Sequence, residues 1–118
     1  MEMKHFKISE FDSPDLEGSG SYMNDKFLEK IDNARSIANI PFKINSGFRT
    51  KEHNKKIGGS ENSSHMNGVA CDIHCVDSHS RQIIVNALIQ AGFTRIGIAK
   101  TFVHADTDQF KNDALWLY

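Results

Sequence analysis

Two side chains of this chain, Asp72 and His104, stand where a hydrophobe would cost less, and His65 lies close to the first in sequence. His65 and Asp72 flank a glycine-containing turn in Ser64-His65-Met66-Asn67-Gly68-Val69-Ala70-Cys71-Asp72, and His104 lies between Val103 and Ala105. Asp72 also sits mid-run, within Ala70-Cys71-Asp72-Ile73. A carboxylate buried in a sheet without a partner is strongly disfavoured. A dication is one such partner, and neutral imidazoles add further ligands at about 2.0–2.2 Å. Three protein ligands leave a fourth tetrahedral position for water, the arrangement of a catalytic zinc centre. Such a metal brings the pKa of water toward about 7 and polarises a carbonyl. Spacing alone leaves a second reading open, a core aspartate salt-bridged to a histidine.

The pattern around these residues predicts what must position them. Phe27, Leu28, Ile31, Ala34, Ile37 and Ala38 recur at helical spacing, with Asn24 or Ser21 able to cap the start and Asn39 ahead of Pro41 marking the end. Phe42 to Ser46 reads as a short strand ended by Gly47, and residues 50–68 as a long polar loop. Val69 to Cys75 reads as a strand with Ala70, Asp72 and His74 on one face and Val69, Cys71, Ile73 and Cys75 on the other. Asp77 or Ser78 caps a second helix with Ile83, Ile84, Ala87, Leu88 and Ala91 on its buried side and Gly92 past its end. Phe93 to Ala99 is a predicted strand containing Gly97. Thr101 to Thr107 is another, with Phe102, His104 and Asp106 sharing a face. Ala114 to Tyr118 reads as an edge strand, and residues 9–21 as a loop. The sum is an α+β domain: a mostly antiparallel sheet flanked by two main helices.

The totals bound the rest. At 118 residues the chain fits a single domain over 1–118, with 14 basic and 15 acidic side chains and a formal net charge of −1. That balance gives no case for nucleic acid or an anionic membrane surface. No apolar run is long enough for a membrane span. Met1 to Lys7 lacks the apolar core of a secretory signal, which predicts synthesis in the cytoplasm and another route to any work outside. On one strand, Cys71 and Cys75 lie about 13 Å apart, too far for a disulfide. Two thiols alone also make a poor metal site, so both are expected buried and reduced.

Taken in order, Ser46-Gly47-Phe48-Arg49, the run Ser63-Ser64-His65-Met66-Asn67-Gly68-Val69-Ala70-Cys71-Asp72, and Val103-His104-Ala105-Asp106 resemble the successive motifs of a known family. It comprises zinc D-Ala-D-Ala carboxypeptidases and related phage endolysins, which share the Hedgehog/DD-peptidase fold. Ser63, His65, Gly68, Ala70 and Asp72 fit the family pattern Ser-x-His-x-x-Gly-x-Ala-x-Asp. Phe11-Asp12-Ser13-Pro14 and the helix leading to Ile40-Pro41 extend the resemblance over nearly the whole chain, closest to the short carboxypeptidase-type branch.

The resemblance implies His65, Asp72 and His104 as ligands of Zn2+. It also implies Arg49 as a clamp for a substrate carboxylate or a polariser of the scissile carbonyl, a task suited to a planar, permanently charged fork. Ser63 is expected to touch substrate or support its loop, and His53 to line the cleft. The family's acid three residues before the last histidine is Thr101 here, and the alternative histidine two residues before it is Phe102. Asp106, on the strand face of His104, is the nearest acid, and it is expected either to act as base or to orient a ligand. His74 is expected behind Asp72 or facing solvent, and Trp116 and Tyr118 in packing. The implied activity is zinc-dependent hydrolysis of a peptidoglycan stem peptide by a monomer, delivered to the wall as an endolysin or virion component. The rivals are a zinc-containing wall-binding module and a virion structural module that have lost catalysis.

Overall fold

A computed structural model describes residues 2–118 of the chain. The elements run α1 (Asp25–Ala38), β1 (Ile44–Ser46), α2 (Lys51–Lys56), β2 (Ala70–His74), α3 (Ser78–Gln90), β3 (Arg95–Ile98), β4 (Phe102–Asp106) and β5 (Ala114–Leu117). Short 3-10 turns fall at Ile8–Phe11, Ser19–Tyr22 and Ser64–Asn67, the first two overlapping and the third inside segments expected to be plain loop.

Local chemistry fixes the helix ends. The Asn24 side chain accepts from the Phe27 N–H, and Asn39 closes α1 in the left-handed region at φ 54°. Asp77 caps α3 through the Ser80 N–H, and Gly92 follows the helix at φ 97°. The sequence reading misses α2, since Lys51–Lys56 carries no apolar stripe. Its start is set by Thr50, whose hydroxyl accepts from the His53 N–H.

The sheet order is β1-β2-β4-β3-β5. Pairings are antiparallel except β3 with β5, which is parallel and makes the sheet mixed. Alternation then divides the sheet by function. Cys71, Ile73, Val103, Ala105 and Ile96 join Phe27, Leu28, Ile31, Ile84 and Leu88 from α1 and α3 in one buried cluster. The other face carries Asp72, His104 and Asp106, together with Arg95, Gly97 and Trp116. Cys71 and Cys75 are both buried and unbridged. Among the described residues, no helix is long and apolar enough to cross a membrane.

Candidate metal centre

One transverse row of the sheet carries the site. Ser46 pairs with Asp72, Asp72 with His104, His104 with Gly97, and Gly97 with Trp116, so these positions share a face. His65 comes to the row from the 3-10 turn Ser64–Asn67, which Ser63 caps by accepting from the His65 N–H and Gly68 closes at φ 70°. His65, Asp72 and His104 are all buried, and one ligand atom from each lies within 4.8 Å of the others. His65 Nε2 is 3.4 Å and His104 Nδ1 is 2.9 Å from Asp72 Oδ1. A tetrahedral ion with bonds of about 2.0–2.2 Å spaces its ligand atoms by about 3.4 Å, so the trio fits one with a small widening at His104.

Each imidazole is held by its other nitrogen. His65 Nδ1 lies 2.8 Å from the Gly47 carbonyl oxygen, which leaves Nε2 for the centre. A Cβ on Gly47 would meet Phe11 Cα at 2.6 Å, so only glycine brings that carbonyl here. His104 Nε2 lies 2.7 Å from Asp106 Oδ2, which leaves Nδ1 facing Asp72. The other Asp106 oxygen accepts from Arg95 Nε at 2.7 Å and from the Asp108 N–H at 3.0 Å. Of the two roles the sequence leaves open for Asp106, this geometry fits orientation of His104 and not that of a base. The carboxylate is 1% exposed, sits behind the ring, and has both oxygens engaged.

The charges select a cation. Burial pushes the Asp72 carboxyl up, but hydrogen bonds with His104 and His65 outweigh it and hold the group well below the ordinary carboxylate range. Burial works against a charged His104, yet its bonds to Asp106 and Asp72 leave its pKa raised. Asp106 is lowered despite burial, by His104, the Asp108 N–H and Arg95. Two carboxylates therefore face the His104 ring, so this donor set favours positive charge at its heart.

Arg49 reaches the same cavity from the segment between β1 and α2. Its Nε donates to Ser46 Oγ at 3.0 Å, one terminal nitrogen donates to Asn54 Oδ1 at 3.2 Å, and the other lies 3.5 Å from Asp72 Oδ2. Burial lowers the guanidinium pKa, and Asp72 opposes that. The Arg49 fork is therefore fixed while two of its five N–H groups stay free. Asn54 is buried and also donates to the Ser60 carbonyl at 2.8 Å. Sequence reasoning points to His53 instead, but His53 does not line this cavity. Each residue of a helix turns about 100° from the last, so on α2 Asn54 is buried against Arg49 while the neighbouring His53 is half-buried and does not reach it. Ser63 lines the cavity while capping its turn, and His74 is exposed at the end of β2.

The far wall departs from expectation. Trp116 and Tyr118, expected in packing, line the cavity together with Phe102. Gly97 inside a predicted strand is a signal for it, because such a glycine marks a close approach.

The family model described as Peptidase M15 matches residues 4–106. Among curated proteins, none matches the chain.

Proposed function

Because the chain belongs to the peptidase M15 family of metal-dependent peptidases, we propose that it is a zinc-dependent hydrolase of the peptidoglycan stem, cutting a D-Ala-D-Ala or L-Ala-D-Glu type bond. The observation that carries the reading is the convergence of two imidazole nitrogens and one carboxylate oxygen within 4.8 Å on one buried spot. In this reading His65 Nε2, Asp72 and His104 Nδ1 hold the ion. Zinc, when bound, supplies a Lewis acid that activates water and polarises a carbonyl.

The chain's own residues do the rest. The Gly47 carbonyl and Asp106 fix the two rings so that their free nitrogens point to one centre. Arg49 offers its free N–H groups to a substrate carboxylate or to the oxygen on which charge develops. Ser63 keeps the His65 turn in place. In this reading the domain reaches the wall as a phage endolysin or virion component.

One observation favours a second reading, a non-catalytic wall-binding or virion module of the same fold. Among the described residues, the carboxylates lining the cavity are Asp72 and Asp106, the first a ligand and the second turned to His104. One experiment separates the two readings. Zinc-loaded protein is incubated with purified peptidoglycan, and the new termini are identified by mass spectrometry. The peptidase reading expects defined new termini that vanish with His65→Ala. Zinc-bearing protein that releases nothing supports the non-catalytic module.

A further inference from the structure

The row that carries the ligands continues past them. Gly97 pairs with His104 on one side and with Trp116 on the other. A Cβ on Gly97 would lie 2.6 Å from Trp116 Cε2 and 2.7 Å from Tyr118 Cε2, so both rings rest on bare backbone. The Trp116 ring is 5.4 Å from the His104 ring, and the Arg95 guanidinium lies 4.9 Å over it. Tyr118 stands 6.2 Å from Trp116 at 62° and 5.0 Å from Phe102 at 53°. Its backbone N–H donates to the Ile98 carbonyl at 3.0 Å, yet the residue is 66% exposed. The ring is thus anchored without being used to fill a core.

Rings meeting at such angles make an apolar corner. A flat platform would suit a planar sugar or base, whereas the angle between touching rings suits an alkyl group seated against the outer faces of both. Its position fixes which group. Trp116 touches a ligand-bearing residue directly, so whatever fills the corner belongs to a residue beside the bond being cut. Arg49 lies at the β1 end of the same row, held by Ser46 and facing Asp72. Arg49 and the aromatic wall thus stand at opposite ends of the row, and the cation at the aromatic end, Arg95, is paired with Asp106.

We propose that Phe102, Trp116 and Tyr118 form a specificity subsite for an alkyl side chain on the substrate residue flanking the scissile bond. This rests on the peptidase reading above. The test uses the full zinc-loaded chain and stem peptides carrying alanine or glycine at each flanking position. One methyl group in an apolar pocket is worth at least about ten-fold in kcat/KM. Wild type should show that preference for alanine at one position. Tyr118→Ala should reduce it to about two-fold, mainly through KM and with bound zinc unchanged, while Trp116→Phe, which keeps a ring, should retain part of it. An unchanged alanine preference in Tyr118→Ala, or a preference set only by an attached sugar, overturns the proposal.

If no peptide is cleaved, the peptidase reading fails and the corner is judged separately. Trp116 is the single tryptophan of the chain, so its fluorescence reports binding at this wall. Tighter binding of the alanine peptide than of the glycine peptide, lost in Tyr118→Ala, upholds the subsite. Equal binding of the two overturns it.

Discussion

Asp72 and His104 stand on neighbouring antiparallel strands, in register, inside a ladder whose backbone bonds set both Cα positions. Arg49 stands on a connection, just before a helix of six residues. The two halves of the site are consequently held by different means. A strand-borne ligand needs only its last torsion fixed, and one carboxylate does this for His104. A loop-borne guanidinium has no ladder behind it and must be braced by side chains: Ser46, Asn54 and Asp72 directly. Beneath it, Asp15 accepts from the Ser13 hydroxyl at 2.5 Å and the Thr50 hydroxyl at 2.6 Å. Precision on a sheet is inherited from the backbone, whereas precision on a loop is assembled from polar contacts.

That contrast can be broken from either side. The largest effect is expected from Asp106→Ala, which frees the His104 ring and strands Arg95. Metal affinity should fall about 10–100-fold, read by competition with a chelator of known strength. Unaltered affinity would mean that the ladder alone orients the ring.

Next comes Asn54→Ala on the loop side. Losing a hydrogen bond to a charged group costs about 1.5–3 kcal/mol, so KM for an anionic substrate should rise at least about ten-fold while metal affinity stays as it was. If both parameters moved together, the two halves would be one unit.

The smallest effect is expected at Asp15→Asn. The Ser13 and Thr50 hydroxyls hold the Asp15 carboxyl below its ordinary 3.8, so the folded chain gives up this proton at lower pH than the unfolded chain. Its contribution to stability is present above about pH 4 and is lost as pH falls through the lowered value. Denaturant midpoints of wild type and variant should therefore differ near neutrality and converge in acid. A gap that persists in acid would assign the effect to something other than this carboxylate.

The same contrast explains what is legible in the amino-acid sequence. Alternation along β2 and β4 by itself puts Asp72 and His104 on one face, because a strand repeats every two residues. The ends of α1 and α3 are equally legible from Asn24, Asn39, Asp77 and Gly92. The braces of Arg49 are not legible. Asn54 works only because α2 turns it inward and because a Cβ on Gly59 would collide with its side chain. The aromatic wall depends on β5 docking parallel to β3 with Trp116 opposite Gly97, and the glycine signals a close approach without encoding which residue makes it. Asp106 is the intermediate case. Strand alternation gives its face, but its orienting role depends on Arg95 and the Asp108 N–H meeting its second oxygen, and both contacts are tertiary.

The most direct test is a crystal structure of the zinc-loaded protein with anomalous data collected at the zinc edge. A single peak is expected about 2.0–2.2 Å from His65 Nε2, an Asp72 oxygen and His104 Nδ1, with Asp106 still on His104 Nε2. A peak bound elsewhere, or an ion taken by His104 through Nε2 with Asp106 displaced, would contradict the account.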